Sequence, residues 1–236
     1  MRVEPFSEGS FVHTIKRGSR GMDIVLNKFD KWQFVKLLFI SNDTYSNDNW
    51  RRETKDLPLF VRPDTWPKKE PLTDILAWVL MTNHFHILLH ERKAGGISKF
   101  MQRLCGSLSM SFNARYDSKG SIFQGSYKAK VVDNDSYLRY LAFYIQVKNV
   151  LELYPGGLKA ALNKFDNAWD WALKYEFSSL PFYIKRIESP IINDVDGIIT
   201  NMRHNFNKKE SYKMLQTYVN KKNNIWSERL MELTLE

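Results

Sequence analysis

Apolar positions along the chain follow two periods, and the switches between them outline its elements. Phe11-Val12-His13-Thr14-Ile15 is short, β-branched and aromatic. It runs into Arg17-Gly18-Ser19-Arg20-Gly21, which predicts a strand and then a loop. Lys28 to Ile40 has apolar residues at helical spacing and predicts a helix. Asp74–Leu80 and His84–Glu91 are two strand-length runs separated only by Met81-Thr82-Asn83, the pattern of a hairpin. After Gly95-Gly96, Phe100, Leu104, Leu108 and Phe112 recur every four residues, so Ile97 to Tyr116 reads as a long helix. Asp117–Gly120 is a turn and Tyr127–Val132 a further strand. Asp133-Asn134-Asp135 offers an N-cap to a second long helix over Ser136–Val150.

The resulting order is β-α-β-β-α-β-α. It predicts an α+β fold of the ferredoxin-like, split βαβ kind, an antiparallel sheet with helices on one face and one added helix. Residues 41–71 interrupt the pattern. They hold Pro58, Pro63, Pro67 and Pro71, half the prolines of the chain, and are expected to form a long insertion with little regular structure. Tyr154-Pro155-Gly156-Gly157 closes the unit, giving a first domain of residues 1–150. Residues 151–236 read as a helical C-terminal extension of two or three helices, with Trp169, Trp171, Tyr175 and Phe177 to pack it onto the core. There is no internal repeat.

Composition narrows the class. Aromatic residues at 14% supply a core, which excludes wholesale disorder. The longest apolar run, Ile75–Met81, is far short of the roughly 20 residues of a membrane span. Met1–Pro5 carries no apolar stretch of the secretory kind. The single cysteine, Cys105, excludes an internal disulfide and a Cys-cluster zinc site and reads as a core residue. A cytoplasmic, nucleoid-associated setting is expected, as monomer or homodimer and with no membrane partner. The net charge of +9 favours a polyanion, of which nucleic acid is the commonest.

The chemistry concentrates in two places. In Asn83-His84-Phe85-His86-Ile87-Leu88-Leu89-His90, strand alternation puts His84 and His86 on one face about 7 Å apart, half of a divalent-metal site. His90 shares that face but lies about 13 Å beyond His86, too far for the same ion. The plainer alternative is a pair of partly exposed strand histidines. In the last helix Tyr137, Tyr140 and Tyr144 lie on one face with Lys148. They suit an amphipathic core edge or a tyrosine nucleophile. A tyrosine hydroxyl is a weak nucleophile at its free pKa near 10, so it needs a metal-polarised electrophile or a base.

Taken with their order, these segments resemble the single-tyrosine HUH transposases of the IS200-like superfamily, and within them the REP-associated tyrosine transposase branch. The resemblance runs from about Phe11 to Val150. It rests on Val12-His13-Thr14-Ile15-Lys16-Arg17-Gly18, Met81-Thr82-Asn83-His84-Phe85-His86-Ile87-Leu88-Leu89, Ser98-Lys99-Phe100-Met101-Gln102, Ile122-Phe123-Gln124-Gly125-Ser126-Tyr127-Lys128 and the helix of Tyr144. It implies a metal-dependent endonuclease and strand-transferase acting on single-stranded DNA beside a hairpin, a REP-like palindrome. His84 and His86 would hold Mg²⁺ or Mn²⁺, and Tyr144 would be the nucleophile, forming a 5′-phosphotyrosine and a free 3′-OH; Tyr140 is the fallback. The alternatives are a domesticated protein that binds structured single strands without cutting, and a metal phosphodiesterase that uses water.

One position departs from that pattern. The family places Asn or Gln four residues after the tyrosine, to help hold the metal; this chain has Lys148. A protonated lysine has no lone pair for a cation. Asn149 sits about 140° round an α-helix from Tyr144 and reaches its side only if the helix bends; Gln146 faces away. Three readings stand: Lys148 contacts the scissile phosphate, the two histidines hold the metal with phosphate and water alone, or catalysis is weakened. Arg17, Arg20, Lys99, Arg103, Arg115, Lys128 and Lys130 are candidate backbone contacts, and Gln124 and Tyr127 match a family motif without a role that physics assigns. In the insertion, Trp50 and Trp66 with Arg51, Arg52, Lys68 and Lys69 suit strand stacking or a solvated loop. His204–Lys222, with Lys208, Lys209, Lys213, Lys221 and Lys222, suits a hairpin contact or a charged outer helix face.

Overall fold

The computed structural model describes residues 6–195 and 197–220; Lys221 and Lys222 lie outside them, as does the side chain of His204. Four strands, β1 (Phe11–Arg17), β2 (Asp74–Leu80), β3 (His84–His90) and β4 (Lys128–Val132), form one sheet in the order β2-β3-β1-β4. Every neighbouring pair is antiparallel. The predicted hairpin closes with the Met81 N–H donating to the His84 carbonyl at 2.8 Å. The split βαβ fold expected from the element order is therefore present.

Helices α1 (Lys28–Ile40) and α3 (Gly96–Tyr116) cover one face, against Val12, Phe85, Ile87 and Leu89. Local chemistry fixes their starts. Asn27 caps α1 by accepting from the Asp30 N–H, and the Glu91 carboxylate accepts from the N–H groups of Gly95 and Ile97 at 2.7 Å to start α3. Gly96 is required there, because a Cβ would lie 2.2 Å from the Leu72 carbonyl oxygen. The insertion holds one short helix, α2 (Trp50–Thr54), yet it is not a solvated loop. Trp50 and Trp66 are buried, and the Trp66 indole donates to Glu53 at 2.6 Å. Arg62 pairs with Asp43 at 2.5 Å and lies over Trp66. The rings that suited strand stacking belong to the core.

The added helix covers the opposite face. The sequence predicts one continuous helix to Val150; the structure divides it into α4 (Asp135–Phe143), a π-turn (Tyr144–Lys148) and α5 (Asn149–Glu152). A bulge at Ile75–Ala77 lets both Leu76 and Ala77 face this side. The C-terminal part supplies α6 (Gly157–Asn163), α7 (Phe165–Ala172), α8 (Leu180–Lys185), α9 (Ile198–Asn205) and α10 (Lys208–Asn220), which share a second core with α4 and the π-turn. Tyr183 and Tyr175 donate to the carbonyls of Leu76 and Leu80, tying the extension to β2. Among the described residues no helix is long and apolar enough to cross a membrane.

Candidate metal and nucleophile site

β3 alternates without interruption. Phe85, Ile87 and Leu89 enter the first core, so His84 and His86 point to the face that carries α4. Their ring centroids are 5.0 Å apart. His84 is nearly buried and His86 fully so. His84 Nδ1 lies 2.6 Å from the Asn83 Oδ1. An amide oxygen only accepts, so His84 donates from Nδ1, and the neutral ring in that tautomer has its lone pair on Nε2. Burial, with His13, His84, Lys148 and Arg17 adding to it, holds the His86 pKa well below the ordinary histidine value, which keeps the ring neutral as a ligand must be.

Tyr144 meets this pair edge-on. Its ring centroid is 5.7 Å from His86 and 6.4 Å from His13, and it is 0% exposed. Tyr140 is half-buried, with its ring centroid 6.2 Å from that of Tyr144. The predicted convergence of a histidine pair and the late-helix tyrosine is thus present in space.

The π-turn alters the geometry on the C-terminal side of the tyrosine. The Asn149 N–H bonds to the Tyr144 carbonyl, one residue further along than an α-turn allows. That extra residue brings Asn149 back toward the side of Tyr144 that α-helical spacing would deny it. Its side chain is fully buried, and neither Oδ1 nor Nδ2 meets a hydrogen-bond partner among the described residues. Lys148 is 2% exposed, its ammonium bonded to Glu152 at 2.9 Å and lying over the rings of Tyr144 (4.8 Å) and Tyr218 (5.6 Å). Gln146 accepts from Ser179 at 3.1 Å, turned away as expected. Among the described residues no three His, Cys, Asp or Glu side chains group as a metal cage. The two imidazoles face the same side of the sheet, and N donors of this kind suit a divalent ion that keeps waters. His90 is engaged elsewhere, with Asp74 at 3.0 Å.

The remaining candidates divide. Arg17 is exposed and pairs in register with His84. Arg20 is exposed in the short turn Ser19–Gly21, which the Gly18 N–H joins to the Asn83 carbonyl. The Gln124 N–H bonds to the Arg17 carbonyl at 3.0 Å, which sets Gln124 beside Arg17. Lys128 and Lys130 lie on β4, the sheet edge next to β1. Arg103 is committed to the insertion: its guanidinium donates to the carbonyls of Asp43, Tyr45 and Thr44. Arg115 lies over Phe29 and reaches Asp30 at 3.7 Å. Sequence reasoning assigned no role to Asn83, Glu152 or His13. The signal for His13 was its place one strand over from the histidine pair, which only the β1–β3 register makes meaningful.

A profile of the family described as "Transposase IS200 like" matches residues 68–148. The span runs from the end of the insertion to the last residue of the π-turn and contains His84, His86 and Tyr144. The expected resemblance holds over that third of the chain. No curated protein matches. Among solved structures, "Structure of the REP associates tyrosine transposase bound to a REP hairpin" aligns at a TM-score of 0.45 and 14% identity, over 83% of this chain and 91% of that one.

Proposed function

We propose that this IS200-like chain is a metal-dependent endonuclease and strand-transferase of the REP-associated tyrosine branch, acting on single-stranded DNA beside hairpins. The observation that carries the reading is the buried approach of Tyr144 to His86, with the buried, unbonded Asn149 amide following the π-turn. Residues 1–150 are then the catalytic domain and 151–236 a C-terminal extension, of which the described residues back it. IS200-like transposases are generally metal-dependent. His84, His86 and Asn149 would hold Mg²⁺ or Mn²⁺, which when bound polarises the scissile phosphodiester. Tyr144 Oη bonds to phosphorus as it gives up its proton, and the P–O3′ bond breaks. The 3′-oxygen leaves and takes up a proton as a free 3′-OH, while the 5′-phosphate stays on tyrosine. The fixed frame of β3 and the π-turn supplies orientation. Lys148, already paired with Glu152, adds positive charge beside the tyrosine instead of ligating. Arg17, Arg20, Gln124, Lys128 and Lys130 would meet the strand backbone, giving salt-dependent affinity.

The test uses short hairpin-bearing DNA from the flanks of the gene, with Mg²⁺ or Mn²⁺, on denaturing gels. A protein–DNA band that resists denaturation, and that Tyr144→Phe and His84→Ala each reduce at least 100-fold, supports the reading. An adduct that survives Tyr144→Phe moves the nucleophile to Tyr140. Cleavage without adduct that survives the same change points to attack by water. A second reading, binding without cutting, is favoured by the full burial of Tyr144; retarded but uncut DNA in both metals is its result.

A further inference from the structure

His13 lies on β1, in the strand beside the histidine pair, and is fully buried. Its Nε2 is 2.9 Å from His86 Nδ1. The two ring planes differ by 15°, with centroids 5.2 Å apart. Rings whose nitrogens touch at that separation meet edge to edge in nearly one plane, the geometry of a ring-to-ring hydrogen bond instead of a face stack. One proton occupies this contact, and its owner decides the chemistry of His86. A proton on His13 Nε2 forces His86 Nδ1 to accept, so the neutral His86 ring carries its hydrogen on Nε2 and offers no lone pair to the site. A proton on His86 Nδ1 leaves Nε2 with its lone pair, while His13 keeps its own hydrogen on Nδ1.

We propose that His13 is the positioning residue of this site: it accepts the His86 Nδ1–H and so holds His86 in the tautomer that can ligate a divalent cation through Nε2. The inference rests on the metal reading above and names what that reading leaves open. His84 is held in the matching tautomer by Asn83. Both imidazoles therefore have an acceptor behind them, one from the preceding loop residue and one from the neighbouring strand. Outer partners of this kind orient the ring and raise its basicity, and their loss costs about 10–100-fold in metal affinity.

Two measurements test it. Long-range ¹H–¹⁵N spectra of the metal-free wild-type protein at neutral pH read the tautomers directly. His86 protonated on Nδ1 and His13 protonated on Nδ1 is the expected result, and His86 protonated on Nε2 overturns the proposal whatever any variant does. Mn²⁺ titration, followed by the loss of the free-ion electron spin resonance signal, then compares variants. His13→Leu should weaken Mn²⁺ binding about 10–100-fold. His13→Gln, whose side-chain oxygen can stand near the position of Nε2 and accept, should restore it to within a few-fold. Equal binding by His13→Leu and wild type overturns the proposal, as does equal loss in both variants when each keeps the wild-type circular dichroism spectrum. Absence of Mn²⁺ binding by the wild type, with His84→Ala no different, overturns the metal reading itself. It is distinguishable because the tautomer spectrum does not depend on metal.

Discussion

Val12, Phe85, Ile87 and Leu89 line one face of the sheet; one residue out of step on the same two strands, His13, His84 and His86 line the other. The first face meets α1 and α3 through rings and aliphatic chains, with Phe34 5.0 Å from Phe85. The second meets a helix that buries Tyr144, Gln146, Lys148 and Asn149. Apolar burial stabilises by roughly 25 cal/mol per Å², whereas each buried imidazole, amide or ammonium costs desolvation that its partners only offset. The first face is thus mainly a packing surface, while the second combines an apolar core, Leu88 of β3 included, with the buried polar groups of the site.

The largest effect should come from the apolar side. Phe85 is fully buried between Phe34 and Phe123 and sits in sequence between His84 and His86. Phe85→Ala should cost about 3–5 kcal/mol in urea unfolding, the usual penalty for an aromatic cavity. A loss under about 1 kcal/mol would mean that this face does not hold the fold together. The opposite sign is expected across the sheet. Asn149→Leu replaces a buried, unbonded amide by an apolar side chain of similar size, and buried unbonded amides cost roughly 1–3 kcal/mol. The variant should be more stable by about that amount while its Mn²⁺ affinity falls. Stability that drops together with affinity would erase the contrast between the two faces.

Much of this was legible before any coordinates. The alternation of His84-Phe85-His86-Ile87 states which residues share a face, and the short break at Met81–Asn83 states the hairpin. The cap at Asn134 and the four-residue spacing of Phe100–Phe112 state the long helices, because each signal is local and periodic. Three features were not legible, for one shared reason. Asn149 stands about 140° from Tyr144 on an α-helix, and nothing in Tyr144-Ile145-Gln146-Val147-Lys148 announces that the turn widens. The pairing of His13 with His86 spans 73 residues and needs the β1–β3 register. The insertion reads as irregular by its prolines and asparagines, yet Glu53 and the Asp43-paired Arg62 lock Trp66 in place by contacts that have no period. Pattern reports what repeats; the site and the insertion are built from single, long-range contacts.

The smallest effect tests whether the apolar side is as free of electrostatic cost as its rings suggest. Lys69 closes the insertion with its ammonium 3.9 Å over the Phe39 ring. Burial pushes its pKa down from the ordinary 10.5 to about 8, Asp43 pulling it back up and Arg62 adding to the fall. Between those two values the unfolded chain holds a proton that the folded chain has released. Stability therefore rises as pH climbs from about 8 to 10.5, and below 8 the full cost of burying the ammonium is present. Part of that cost is screened, because the side chain is only half-buried, and the contact with Phe39 offsets more. Lys69→Met should then stabilise the protein by about 1 kcal/mol at pH 7, with the difference closing by pH 10.5. Urea midpoints at pH 7, 9 and 10.5 give the answer. A gain that stays constant with pH would reduce the effect to better packing, and a loss at pH 7 would make the cation–ring contact the dominant one. The predicted closing gap would show that the apolar side too carries a charge at a cost, placed where it fastens the insertion to Phe39.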